Sequence, residues 1–159
     1  MSRPDLVLAS IAVTTPAWAA AEALSWRVAT VGVTQQAGEA THRGVALFAN
    51  GEPATLTLRL RPTAAPSRGR MPFATHTVHR FEDGSTFTVL GAGQAAMSTE
   101  GVPLPVESLI EGRFEGGTGR FAGIKGTVTL RSRSGMDRPA PGVPGDQPSV
   151  AEAGYTVPK

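Results

Sequence analysis

Thr55-Leu56-Thr57-Leu58-Arg59-Leu60-Arg61 is the stretch that decides the fold. Successive side chains of a strand point to opposite sides. Leu56, Leu58 and Leu60 therefore share a dry face, and Thr55, Thr57, Arg59 and Arg61 share a wet one. Such a strand belongs to a sheet with one side on a core and the other in water.

The same grammar extends in both directions. Upstream, Asn50-Gly51 is the strongest hairpin signal of the chain, because both residues tolerate positive φ. Before it, Thr41 to Phe48 reads as a strand, as does Ser25 to Thr34, with the Gln35 to Gly38 turn between them. Downstream, Pro62 to Pro72 reads as a loop, Phe73 to Phe81 as a strand, and Glu82 to Ser85 as a turn into Thr86 to Leu90. Ala95 to Pro105 is irregular, and Val106 to Phe114 and Gly126 to Arg133 are the last clear strands. No helix-period segment of any length follows residue 24. Roughly seven or eight short strands joined by hairpins predict an all-β barrel or sandwich. Closure is favoured because it removes exposed strand edges.

Composition fits one such domain. The chain has 159 residues, 40% hydrophobic and 18% charged, enough for a single core. A net charge of +2 with dispersed arginines gives no basic stripe, so no nucleic-acid partner is expected. With no cysteine, disulfides, thiolate nucleophiles and cysteine zinc sites are excluded.

Residues 1–19 read as a cleavable export signal: Arg3, the apolar stretch Leu6 to Val13, Pro16, then Ala17-Trp18-Ala19. Export to the periplasm or outside the cell is the expectation, and an N-terminal helical arm on a cytoplasmic protein is the alternative. The apolar stretch is shorter than the roughly 20 residues of a membrane span, so no stable anchor is expected. Residues 20–133 form the predicted barrel domain, and 134–159 a disordered or wrapping tail rich in Pro and Gly, with Tyr155 and Val157 able to dock.

Three pieces carry a family likeness: Thr41-His42-Arg43-Gly44, the run His79-Arg80-Phe81-Glu82-Asp83-Gly84-Ser85-Thr86, and Glu111 to Gly126 with its GGTGRFAGIKG core. Together they resemble the allene oxide cyclase-like barrel family, whose plant relatives include the dirigent proteins. The glycine-rich segment is the specific part. This resemblance implies an eight-stranded antiparallel barrel of calycin-like architecture, a lumen for a small apolar ligand, and assembly as a homotrimer. It also implies cyclisation or isomerisation achieved by shaping the substrate, with no metal or redox cofactor. The glutamate-bearing N-terminal motif of the plant cyclases has no counterpart here. Read from the residues alone, Gly116, Gly117 and Gly119 allow a tight turn at positive φ, Phe121 plugs the barrel end, and the motif touches no ligand. Lys125-Gly126-Thr127 opens a strand, which argues against a phosphate loop.

Candidate chemistry is sparse. His76 and His79 lie three apart on one strand and point to opposite faces. His79 shares the face of Phe73 and Phe81, which makes it the candidate pocket base, with a hydrogen-bonded core histidine as the alternative. His42 is expected to be exposed. Glu107 and Glu111 lie on one strand face with Arg113 beyond, about 13 Å apart by strand rise, too far for paired acid–base work. Either one is a candidate acid or base if it enters the lumen near Arg59 or Arg80; solvated outward charges are the alternative. Trp26, Arg59, Phe73, Arg80, Phe81 and Arg113 complete the candidate ligand contacts. Rival readings are a non-catalytic lipocalin-like carrier and a structural domain with its lumen packed shut.

Overall fold

The alternation at 55–61 extends into a strand longer than the sequence reading gave it, and the other strands lengthen likewise. The computed structural model describes residues 22–36, 38–96, 107–133 and 146–156. The expected export signal at 1–19 lies outside them, as do 97–106, 134–145 and Val157. The strands are β1 (Glu22–Gln36), β2 (Glu39–Phe48), β3 (Pro53–Pro62), β4 (Arg70–Phe81), β5 (Thr86–Ala96), β6 (Glu107–Thr118), β7 (Lys125–Arg133) and β8 (Asp146–Thr156). Each pairs antiparallel with the next, and β8 returns to β1, so eight strands make a closed barrel. Among the described residues no helix is long and apolar enough to cross a membrane.

Two hairpins of the lower end, β2–β3 and β4–β5, share one design. Phe48 N–H donates to Glu52 O at 2.9 Å and Gly51 N–H to Phe48 O at 2.9 Å, with Gly51 at φ +84°. Phe81, Gly84 and Ser85 repeat it, with Gly84 at φ +81°. These are three-residue loops ending on a left-handed glycine, which suits the right-handed twist of the strands. Asn50 does not share the positive φ that a two-residue turn would require. In the glycine-rich segment, Gly116 and Gly117 continue β6, and of the expected three only Gly119 turns left-handed, at φ +60°. At the upper end, Arg68 and Gly69 both take positive φ between Ser67 and Arg70, which bond each other, so the expected loop is itself a tight hairpin tip.

The barrel is not complete at residue 133, as the sequence reading placed it. Residues 146–156 of the expected tail form β8, with Trp26 opposite Ala151 and Val128 opposite Ala153. The strand was hard to see because Ala153 and Gly154 carry little hydrophobic signal and Pro148 cannot donate to a ladder. It forms because β1 and β7 otherwise present two unpaired edges.

Inside, the lower half is solid. Trp26, Phe48, Phe81, Phe87, Phe114 and Phe121 are all buried and packed ring to ring, with Phe81–Phe121 centroids 4.8 Å apart and Phe87–Phe121 5.2 Å apart. Phe121 plugs this end, as expected. Arg120 lies over the plug, 4.6 Å from the Phe81 ring centroid and 4.9 Å from that of Phe121. Its guanidinium also donates to Glu52 Oε1 and lies 3.7 Å from Asp83 Oδ2, tying together three lower connections. The Ser85 N–H, 2.8 Å from Asp83 Oδ1, holds that carboxyl below its usual range, and the Ser85 hydroxyl and Arg120 act in the same direction.

Candidate functional site

Above the aromatic plug the inward residues change character. Thr30, Ala40, Thr75, Ala95, Ser108 and Ser132 replace large rings with small groups, and opposite walls no longer meet. The result is a cavity of about 370 Å³ running from the plug to the upper rim at Gly38, Pro62 and Met71. Leu56, Leu58, Val89, Ile110, Val128 and Leu130 make most of its wall. Its described lining holds no Asp, Glu, Lys or Arg side chain.

Trp26 and His79 form the floor. Strand parity along β4 puts Phe73, Thr75, Thr77, His79 and Phe81 on the inner face, and His79 is 2% exposed. Its imidazole stacks on Phe87 with centroids 4.5 Å apart and meets the Trp26 indole edge to face at 5.5 Å. Neither His79 nitrogen has a hydrogen-bond partner among the described residues, nor does Trp26 Nε1. Burial without a counter-charge pushes the His79 pKa down to about 3, so the ring is neutral at physiological pH.

His42 is a second inward histidine, not the exposed one expected from its place near a turn. It lines the cavity half-buried, its Nδ1 is buried without a described partner, and burial lowers its pKa. Parity held the signal: His42 alternates in step with Ala46 and Phe48, which are buried. The outward Val45 and Leu47, about half exposed, disguised which face was the inner one. At the rim, Ser108 Oγ and Ser132 Oγ pair across β6 and β7 at 2.9 Å. The inward Thr and Ser residues also escaped the sequence reading, since short hydroxyl side chains occur on either face of a strand.

Of the residues singled out in advance, the cavity brings together His79, Trp26 and Phe73. Phe81 is buried as expected, but within the plug beneath Arg120. The charged candidates are elsewhere. Glu111, Arg80 and Arg113 are exposed, and Arg59 points outward with its Nε 4.0 Å from Glu39 Oε1. Glu107 opposes Arg133 at the start of β6, and its side chain lies outside the described set. The reason is energetic: an ionised group facing an apolar lumen without a partner costs several kcal/mol, roughly, in desolvation. His76 sits on the outer face as predicted, 3.8 Å from Glu115 Oε2. Among the described residues no three His, Asp or Glu side chains gather as metal ligands would.

Fold and site thus define a closed antiparallel β-barrel with its lower half packed and its upper half hollow, apolar and floored by a neutral histidine. Comparison of the chain with protein-family models, with curated proteins and with solved structures finds no match.

Proposed function

We propose that the barrel takes one small, mainly apolar molecule into its lumen through the upper end and holds it in a single folded conformation. The hollow upper half carries this reading. A volume of about 370 Å³ within an aliphatic wall falls in the range of small-molecule sites. A packed structural domain has no use for such a space, because interiors otherwise fill to crystal density.

The sharper form follows the resemblance to the allene oxide cyclase-like and dirigent barrels. A guest fixed in a reactive conformation cyclises or isomerises without a cofactor, since orientation alone lowers the barrier, and His79 is the group placed to pass a proton. A carrier role has its own support. His79, at a pKa of about 3, is a weak base, and no charged side chain lines the described wall to assist it. Export by residues 1–19 belongs to the same proposal, and N-terminal sequencing of the mature protein checks it.

The uncharged dye 1-aminoanthracene tests binding. Wild type is expected to bind one equivalent with enhanced emission, and Leu58→Trp, which fills the lumen, is expected to bind none while keeping its β circular dichroism. Absence of binding to wild type, or equal binding to both, refutes the reading. Native mass spectrometry of freshly purified protein then looks for a co-purified guest. Conversion of that guest by stripped protein into an isomer of equal mass supports catalysis, and its return unchanged supports a carrier.

A further inference from the structure

The cavity floor says more about its guest than the wall does. Trp26 Nε1 and both nitrogens of His79 are buried and have no partner among the described residues. Buried polar atoms are paired in the great majority of cases, because an unmet donor or acceptor loses its water for nothing. Packing does not explain the choice of residue. A phenylalanine at position 79 would stack on Phe87 and meet Trp26 equally well, with no nitrogen to satisfy.

Two of the three, the indole N–H and the acceptor nitrogen of His79, form a complementary pair. Indole offers a donor only, and neutral imidazole offers one donor and one acceptor. A hydroxyl group accepts from one and donates to the other. A carboxylate only accepts, and no cation lines the described cavity to balance it. A hydrocarbon satisfies none of them. We infer that the guest enters polar tip first and carries one uncharged hydroxyl, seated between His79 and the Trp26 indole, with its hydrocarbon body lying in the upper lumen. This rests on the reading of the lumen as a binding site. The His79 pKa of about 3 agrees with it, since the ring stays neutral and keeps its acceptor nitrogen. The body lies against Leu58, Leu60, Phe73, Ile110 and Leu130, which bear no polar side-chain atom. At interior packing density the cavity has room for roughly ten to fifteen non-hydrogen atoms. The ligand class is therefore a small hydrophobic alcohol or enol rather than a fatty-acid anion.

Two isomeric probes separate the possibilities: 1-octanol, and heptyl methyl ether, which accepts a hydrogen bond but cannot donate one. Both are titrated against bound 1-aminoanthracene. Wild type is expected to bind the alcohol about tenfold more tightly than the ether, and His79→Phe is expected to bring that ratio near one. Octanoate at pH 8 is expected to bind at least tenfold more weakly than 1-octanol. In wild-type protein, the Trp26 indole N–H proton resonance is expected to move downfield with the alcohol, a readout that needs no variant to fold. A ratio near one in wild type, a ratio unchanged by His79→Phe, or tight His79-dependent octanoate binding overturns the inference. If the dye binds but neither probe displaces it, the inference falls while the lumen remains a binding site. If the dye does not bind at all, both fall.

Discussion

Acid is expected to destabilise this barrel chiefly through His79. In the fold its imidazole titrates near pH 3, because burial among Trp26, Phe48 and Phe87 strips the cation of water. In the unfolded chain it takes up its proton near pH 6.5. Between those values the unfolded chain binds a proton that the folded chain refuses. Stability is therefore complete above pH 6.5 and falls as the pH drops through the window. Each unit costs about 1.4 kcal/mol, so going from pH 6.5 to 5 removes about 2 kcal/mol. With a urea dependence of about 2 kcal/mol per M, the midpoint moves down by about 1 M. The assay is urea unfolding at pH 8, 6.5, 5.75 and 5, on wild type and on His79→Phe, which keeps the stack on Phe87 but cannot titrate. His42 adds to the acid loss in the same direction, but it is present in both proteins and cancels in the difference. Stopping at pH 5 keeps the carboxylates out of the measurement. The wild-type midpoint is expected to fall relative to the variant only below pH 6.5. His79→Gln is expected to flatten the profile in the same way. An identical acid slope in wild type and His79→Phe refutes the account of a neutral histidine on the floor.

Four other outcomes follow from the packing. Phe87→Ala, which removes a ring with no exposure from the centre of the plug, is expected to cost about 3–5 kcal/mol in urea unfolding. Gly119→Ala is expected to cost more than Gly84→Ala. Both sit at positive φ, but a Cβ at 119 would lie 2.3 Å from Ser85 Oγ while one at 84 meets nothing within 4 Å; thermal melts of the pair test the order. Arg120→Ala removes the ion pairs to Glu52 and Asp83 and the cover over two rings, for a loss of about 1 kcal/mol that shrinks in high salt. Deleting residues 134–159 removes β8 and leaves β1 and β7 as open edges, so the shortened chain is expected to aggregate on size-exclusion chromatography, and a soluble folded monomer would contradict the topology.

How much of this was legible depended on what alternation can report. It reports sides. Leu56, Leu58 and Leu60 against Thr55, Thr57 and Arg59 identified the inner face of β3 outright, and parity from Phe73 and Phe81 placed His79 inside. Alternation fails where the inner residues are small. On β6, Gly112 faces inward between Glu111 and Arg113, and without a side chain it gave no sign that its charged neighbours face water. On β8, Ala153 and Gly154 hid a whole strand. Nor does alternation reveal whether opposite walls touch. The plug exists because Phe48, Phe81, Phe87 and Phe121 come from three hairpins and converge on one end. The hollow exists because Thr30, Thr75, Ala95 and Ser132 converge above it. Sizes have to be summed around the ring, across residues a hundred positions apart, before either feature can be seen.

The seam between β1 and β8 has a temporal side. Trp26 on the first strand pairs with Ala151 on the eighth, so the closing wall leaves the ribosome after the other seven strands. Without β8, β1 and β7 each lack the partner on their outer edge. Contacts of such sequence separation are the slow ones to form. The enclosed lumen therefore exists only once β8 has paired on both sides.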